Sequence, residues 1–220
     1  MPNEKKKLTL DLTHCYLEIA RSSIVSLNLD DPKVECFIQK HGYDPIVNST
    51  ISIVSVTIIF SYLAIESFVN YQLYRIWEKR NDQSYTSKRF LEIFGDVDNF
   101  LKLKTNKKVK ELGERIKTLC ELLSYQKPHE VNPRLWQEFK ELNEISRHFL
   151  VHPYPSDQFF NENLRRIGLE IPTEKYVNIA QEILLHFHKQ GGLKPPDWLK
   201  KNTLVRFEGV RFLWGDDEYS

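Results

Sequence analysis

Cysteine is scarce in this chain, and the few residues present form no pattern. Cys15, Cys36 and Cys120 are odd in number and widely spaced, so they make neither a disulfide framework nor a metal-ligand run. Buried free thiols in a reducing compartment are the expectation. There is no Gly-rich phosphate loop, no Ser or Cys nucleophile motif and no paired-carboxylate signature. An excess of charge is missing too. With 31 Lys+Arg against 30 Asp+Glu the formal net charge is +1, which excludes a broad basic coat for nucleic acid and leaves only local contacts. Internal repeats and low-complexity stretches are absent. The basic start Met1-Pro-Asn-Glu-Lys-Lys-Lys is not followed by an apolar signal core, because Asp11 and His14 interrupt, so a cytoplasmic location is expected.

What the chain does have is apolar patterning. Of its 220 residues 41% are hydrophobic, enough for one generous domain with a real core. The longest apolar run, Ile46 to Tyr74, carries formal charge only at Glu66. Its length would span a bilayer. Against that stand Asn48, Ser52, Ser55, Thr57, Ser61, Asn70, Gln72 and a carboxylate deep in the run, which is costly in lipid. A central helix buried on most sides, at a bundle core or a subunit interface, fits better. The β-branched opening Ile51-Ser-Ile-Val-Ser-Val-Thr leaves a strand open there.

Four other segments show helical periodicity. The first is Leu8 to Leu29, stopped by Asp30-Asp31-Pro32. Lys88 to Leu103 has Gly95 in its middle and reads as two short helices or one bent one. Lys107 to Leu123 is amphipathic through Val109, Leu112, Ile116, Leu119 and Leu123. Glu174 to Gln190 ends at Gly191-Gly192. Arg75 to Ser87 and Ser124 to Val131 read as connections, and the last 25 residues alternate loosely, as a hairpin or a docked tail. The chain is therefore expected to be all-α, with an N-terminal helix and loop (1–45), a helical domain (46–192) and an irregular C-terminal extension (193–220).

The most informative helix begins at Asn132-Pro133, a side-chain cap followed by a proline whose missing N–H is harmless at the first helical position. Leu135, Phe139, Leu142, Ile145 and Phe149 form its apolar face. Pro153 biases His152 away from helical angles, so the helix should end at or just before His152. Arg147, His148, His152 and Tyr154 thus cluster at a helix end. Arg147 and His152 lie about 140° apart on an ideal helix, yet a long side chain and a broken last turn could bring both to one phosphate. The Arg-to-His spacing alone carries little weight. The Tyr two places further on makes the combination rarer.

Arg147-x4-His152-x-Tyr154 resembles the R-x4-6-H signature of the HEPN superfamily, small helical bundles found in many ribonucleases and toxins. With Tyr after the His it is similar to the toxin half of HEPN/nucleotidyltransferase toxin–antitoxin pairs. The superfamily commonly has Asn, Asp or His after the Arg, and His148 fits. The resemblance covers residues 49–190 and leaves out the N-terminal helix and the C-terminal extension. It implies a HEPN-like bundle that acts as a homodimer, with two motifs facing across a cleft. It also implies metal-independent cleavage of RNA without a cofactor, in a toxin or phage-defence effector. Arg147 would clamp the phosphate, His152 would be the acid/base and His148 a supporting donor. Tyr154 would bind phosphate, or accept AMP from a nucleotidyltransferase-type antitoxin. The superfamily often has a polar residue in the helix that corresponds to the apolar run, which adds Glu66 as a site candidate.

The residue types suit that chemistry on their own. An imidazole near its ordinary pKa of about 6.5 can take the proton of a ribose 2′-hydroxyl or protonate the leaving oxygen. A guanidinium, always charged, can hold a phosphate through two parallel hydrogen bonds and stabilise its transition-state charge. Attack by the 2′-hydroxyl leaves a 2′,3′-cyclic phosphate and spares DNA. Plainer roles compete. Arg147 and His152 also suit a helix C-terminal dipole and cap, and Glu66 could be a buried acid paired with a base near the motif or a satisfied polar group at an interface. His186 and His188 lie about 200° apart on their helix, poor geometry for a shared metal. A non-catalytic HEPN-like module that binds nucleotide or protein is the alternative.

Overall fold

A computed structural model describes residues 11–25, 39–40, 44–96, 102–103, 106, 109–151 and 174–200; the side chains of 25, 44–51 and 148–151 lie outside the description. Among the described residues there are helices and no strands. The elements are α1 (Thr13–Val25), α2 (Asp44–Glu78), α3 (Tyr85–Phe94), α4 (Leu112–Leu123), α5 (Pro128–Val131), α6 (Pro133–Val151), α7 (Glu174–Gln190) and α8 (Asp197–Lys200). The chain is all-α over this range.

The long apolar run becomes α2, a helix of 35 residues and therefore about 52 Å long. Its β-branched opening is helical, not a strand. Burial at Val54, Thr57, Ile58, Ser61, Tyr62 and Ile65 steps by three and four, so the packed face follows the helical period and overrides local β preference. The helix runs on through Arg75 to Glu78, past the expected start of the loop, and α3 begins before that loop was expected to close. Packing on Ile76, which is 9% exposed, holds the extra turn. Helices α1, α3, α4, α6 and α7 all pack on α2. The stretch Ser52–Glu78 is long and apolar enough to cross a membrane, and half of its most apolar window is buried inside the bundle.

Leu17 and Ala20 of α1 join the same solvent-free core as Ile58 and Ile65 of α2, Ile116 and Leu119 of α4, Leu142 of α6 and Ile183 of α7. Arg21 belongs to that buried face as well. It pairs with Glu18 at 2.6 Å and donates to the Trp198 carbonyl at 2.7 Å and to Gln181 Oε1 at 3.1 Å, which fastens α1 to α7 and to α8. The ring of His14 stacks on Trp198 at 4.7 Å beside this junction. The α1 helix starts later than the sequence pattern suggests, because Asp11 accepts the Thr13 N–H at 3.0 Å and starts the helix there.

Gly95 ends α3, as the reading of Lys88 to Leu103 as two short helices has it: its left-handed φ of 68° closes the last turn through a bond from its N–H to the Leu91 carbonyl, and residues 102–103 beyond it are helical again. Two other boundaries differ from expectation. Helix α4 starts at Leu112, not Lys107. Glu111 is extended (φ −100°, ψ 147°), while Val109 is buried from outside the helix. The connection 124–131 contains α5, whose first turn is closed by Glu130 accepting the Lys127 N–H at 2.9 Å. By contrast the start of α6 and the close of α7 are as expected. Asn132 Oδ1 accepts the Leu135 N–H at 3.1 Å, and α7 closes at Gly192 with φ 62°, while the expected stop of α6 at His152-Pro153 lies outside the described residues.

The thiols divide. Cys120 is buried, and burial pushes it up to about 12, whereas Cys15 is exposed, against the expectation that the cysteines are buried. It falls on the solvent side of α1, away from the Leu17 and Ala20 face. Cys36 lies outside the described residues, as do the segment after Val151 and residues 201–220.

His186 and His188 do sit on different faces of α7. His186 is buried, with Nε2 2.8 Å from the Gln126 carbonyl, and the His188 ring lies near Phe68. Burial holds both imidazoles below their ordinary range; for His186 the Gln126 carbonyl opposes the shift and Lys189 adds to it. In the unfolded chain both titrate near ~6.5. As pH falls below that value the unfolded state takes up protons first, so their contribution is complete above it and is lost on acidification. The urea midpoint should fall between pH 7.5 and 5.5, and fall less in a His186→Gln/His188→Gln variant. Equal drops in both proteins would remove the histidines as the cause.

Candidate functional site

Helix α6 delivers the motif. Its Asn132 cap and its buried Leu135, Phe139 and Leu142 fix the rotation of the helix against the core. Ser146 is fully buried, with its hydroxyl bonded back to the Asn143 carbonyl at 3.1 Å, so the next residue turns outward. That residue is Arg147. Its side chain is 49% exposed and reaches the start of α4, where Nη2 lies 3.4 Å from Oε1 of Glu111, itself 53% exposed.

Beneath this surface pair lies a partly buried polar network. Tyr62, Glu66 and Asn70 recur every four residues and so share one face of α2. Arg115 of α4 meets that face. Its Nη2 donates to Glu66 Oε1 at 2.7 Å and its Nη1 to Asn70 Oδ1, while its Nε is buried without a partner among the described residues. Arg115 is 7% exposed. The Tyr62 hydroxyl belongs to the same neighbourhood. Burial raises its pKa most and Glu66 raises it further, whereas Arg115 and Arg147 pull it down and Glu111 adds a small upward push. Tyr62 is consequently a neutral hydroxyl beside two cations and two carboxylates.

Of the residues singled out from sequence, Arg147 and Glu66 are thus brought to one neighbourhood around Tyr62, each with its own partner. Arg147 takes the exposed Glu111 and Glu66 takes the buried Arg115. Glu66 is an acid paired with a base near the motif, one of the two roles expected for it. The backbone of His148 belongs to α6, but its side chain lies outside the described residues, and so do His152 and Tyr154 entirely.

Arg115 and Glu111 were not anticipated. A signal for Arg115 was present, since Leu112, Arg115, Ile116, Leu119 and Leu122 step by three and four along one face of α4. An arginine on an apolar face needs a buried acid, and Glu66 was the lone acid in the apolar run. For Glu111 no local signal exists.

Among the described residues no three His, Cys, Asp or Glu side chains converge as a metal-binding group. An open cleft of about 340 Å³ between α6 and α7, lined by Glu138, Glu174, Lys175 and Glu182, includes none of these site residues. Its acidic walls disfavour phosphate, so Arg147 and its surroundings are the better candidate for anion chemistry.

Comparison with protein-family models, with curated proteins and with solved structures found no match.

Proposed function

We propose that this protein is a metal-independent endoribonuclease of HEPN-like type, with Arg147 as the phosphate clamp and His152 as the acid/base. The observation that carries the reading is the state of Arg147: a half-exposed guanidinium at the end of α6, beside a wall in which the Glu66 carboxylate is already neutralised by Arg115. Such a guanidinium is free to exchange its surface partner for a phosphodiester, and its planar fork matches two phosphate oxygens. His152 follows Arg147 by five residues in the sequence, and an imidazole in its neutral form can take the 2′-hydroxyl proton. His148 supports the phosphate, and Tyr154 binds it or carries an adenylyl group placed by a nucleotidyltransferase-type partner. The working form is a cytoplasmic homodimer in which two motifs share one RNA, and α2 serves as its core helix rather than a membrane span.

The test is incubation of a labelled RNA pool with the protein in EDTA, with product ends mapped. Wild type should give 2′,3′-cyclic phosphate ends, leave DNA intact and lose activity in His152→Ala. Intact RNA after prolonged incubation would remove the nuclease reading. The near-neutral charge of +1 favours one other function, a non-catalytic module that binds a nucleotide or a protein at the same arginine. Binding without cleavage would point there.

A further inference from the structure

The ion pair at Arg147 marks a position for an anion. We infer that the Glu111 carboxylate occupies the place of a substrate phosphate, so that RNA must displace it before Arg147 can act. This rests on the reading of Arg147 as a phosphate clamp.

Three features of Glu111 support the substitution. Its Oε1 lies 3.4 Å from Arg147 Nη2, longer than the ~2.7–2.9 Å of a strong charge-assisted bond, so the contact is loose. Both side chains are about half exposed, and exposed pairs contribute little because water and salt compete for each partner. Glu111 also stands at the cap position of α4 with extended backbone, yet its side chain makes no capping hydrogen bond. The carboxylate is therefore directed at Arg147 rather than used by its own helix.

The neighbouring carboxylate shows the contrast. Glu66 is held at 2.7 Å by Arg115, whose side chain is 8% exposed, and that pair is largely withdrawn from solvent. Two acids lie near the clamp, one built in and one exchangeable. A phosphodiester presents a singly charged pair of oxygens much as a carboxylate does, so it fits the same guanidinium fork. While Glu111 is in place its charge also repels an approaching phosphate.

The experiment measures the affinity of a labelled single-stranded RNA oligonucleotide, and separately of inorganic phosphate, for wild type, Glu111→Gln, Arg147→Ala and the double variant. Glu111→Gln should bind RNA about two- to fivefold more tightly, the range set by an exposed ion pair. The gain should vanish in the Arg147→Ala background, where there is no guanidinium to release. Glu111→Ser, a favourable helix cap, should behave like Glu111→Gln and guards against loss of fold. An equal gain with and without Arg147 would show a general charge effect and overturn the proposal, as would unchanged RNA affinity in both Glu111 variants. If wild type neither binds nor cuts RNA while Glu111→Gln gains phosphate affinity through Arg147, the anion position stands and the ribonuclease reading fails.

Discussion

Replacing Arg147 by alanine should slow RNA cleavage by about 10²–10³-fold, the usual cost of removing one group that stabilises transition-state charge. The melting temperature should hardly move, because the side chain is 49% exposed and the Glu111 contact is a surface pair. Arg147→Lys should recover only part of the rate. It restores the charge but not the planar fork that grips two oxygens. Single-turnover cleavage under saturating protein, beside a thermal melt of each variant, separates chemistry from folding. Wild-type rates in a folded Arg147→Ala protein would end the assignment of Arg147 as clamp.

The largest effect on stability is expected at Arg115. Arg115→Met removes the partner of Glu66 and of Asn70 and leaves a carboxylate against an apolar wall. Breaking a buried pair costs about 3–5 kcal/mol. The Glu66 side chain keeps 27% exposure and can recover some hydration, so a loss of roughly 2–4 kcal/mol is expected. For a chain of this size that lowers the melting temperature by about 5–12 °C. Glu66→Gln/Arg115→Met should regain much of the loss, because the stranded charge is gone while the volume is nearly kept. A single Arg115→Met variant that melts within about 2 °C of wild type would show that the network is not a structural element. Since Glu111 is the cap residue of α4, the double variant additionally tests whether the network sets the position of α4 beside Arg147: its cleavage rate should return along with its stability.

How far the sequence could be read depends on the range of the interaction. The start and the packed face of α6 were legible because each signal acts within three or four residues: a cap, a proline tolerated in the first turn and an apolar stripe. The same holds for α7 with its Gly191-Gly192 stop. Elements failed at their edges where a tertiary contact intervened. The buried Ile76 prolonged α2, and Val109 was apolar enough to suggest α-helix although it packs from a 3₁₀ turn before α4, its N–H bonded to the Asn106 carbonyl at 3.0 Å. Cys15 was misplaced because a small residue on an amphipathic helix fits either side.

The sequence by itself determined that the chain is helical, that one long apolar helix with a single internal acid runs through it, and that Arg147 lies in the last turns of α6. These follow from local periodicity and capping. Only the tertiary structure decided the partners. Glu66 meets Arg115 across 49 residues of sequence, and Arg147 meets Glu111 from a different helix. Whether two such side chains touch depends on the rotation and register with which α4, α6 and α2 pack, and those are set by the shapes of many core side chains together, not by the residues that end up paired.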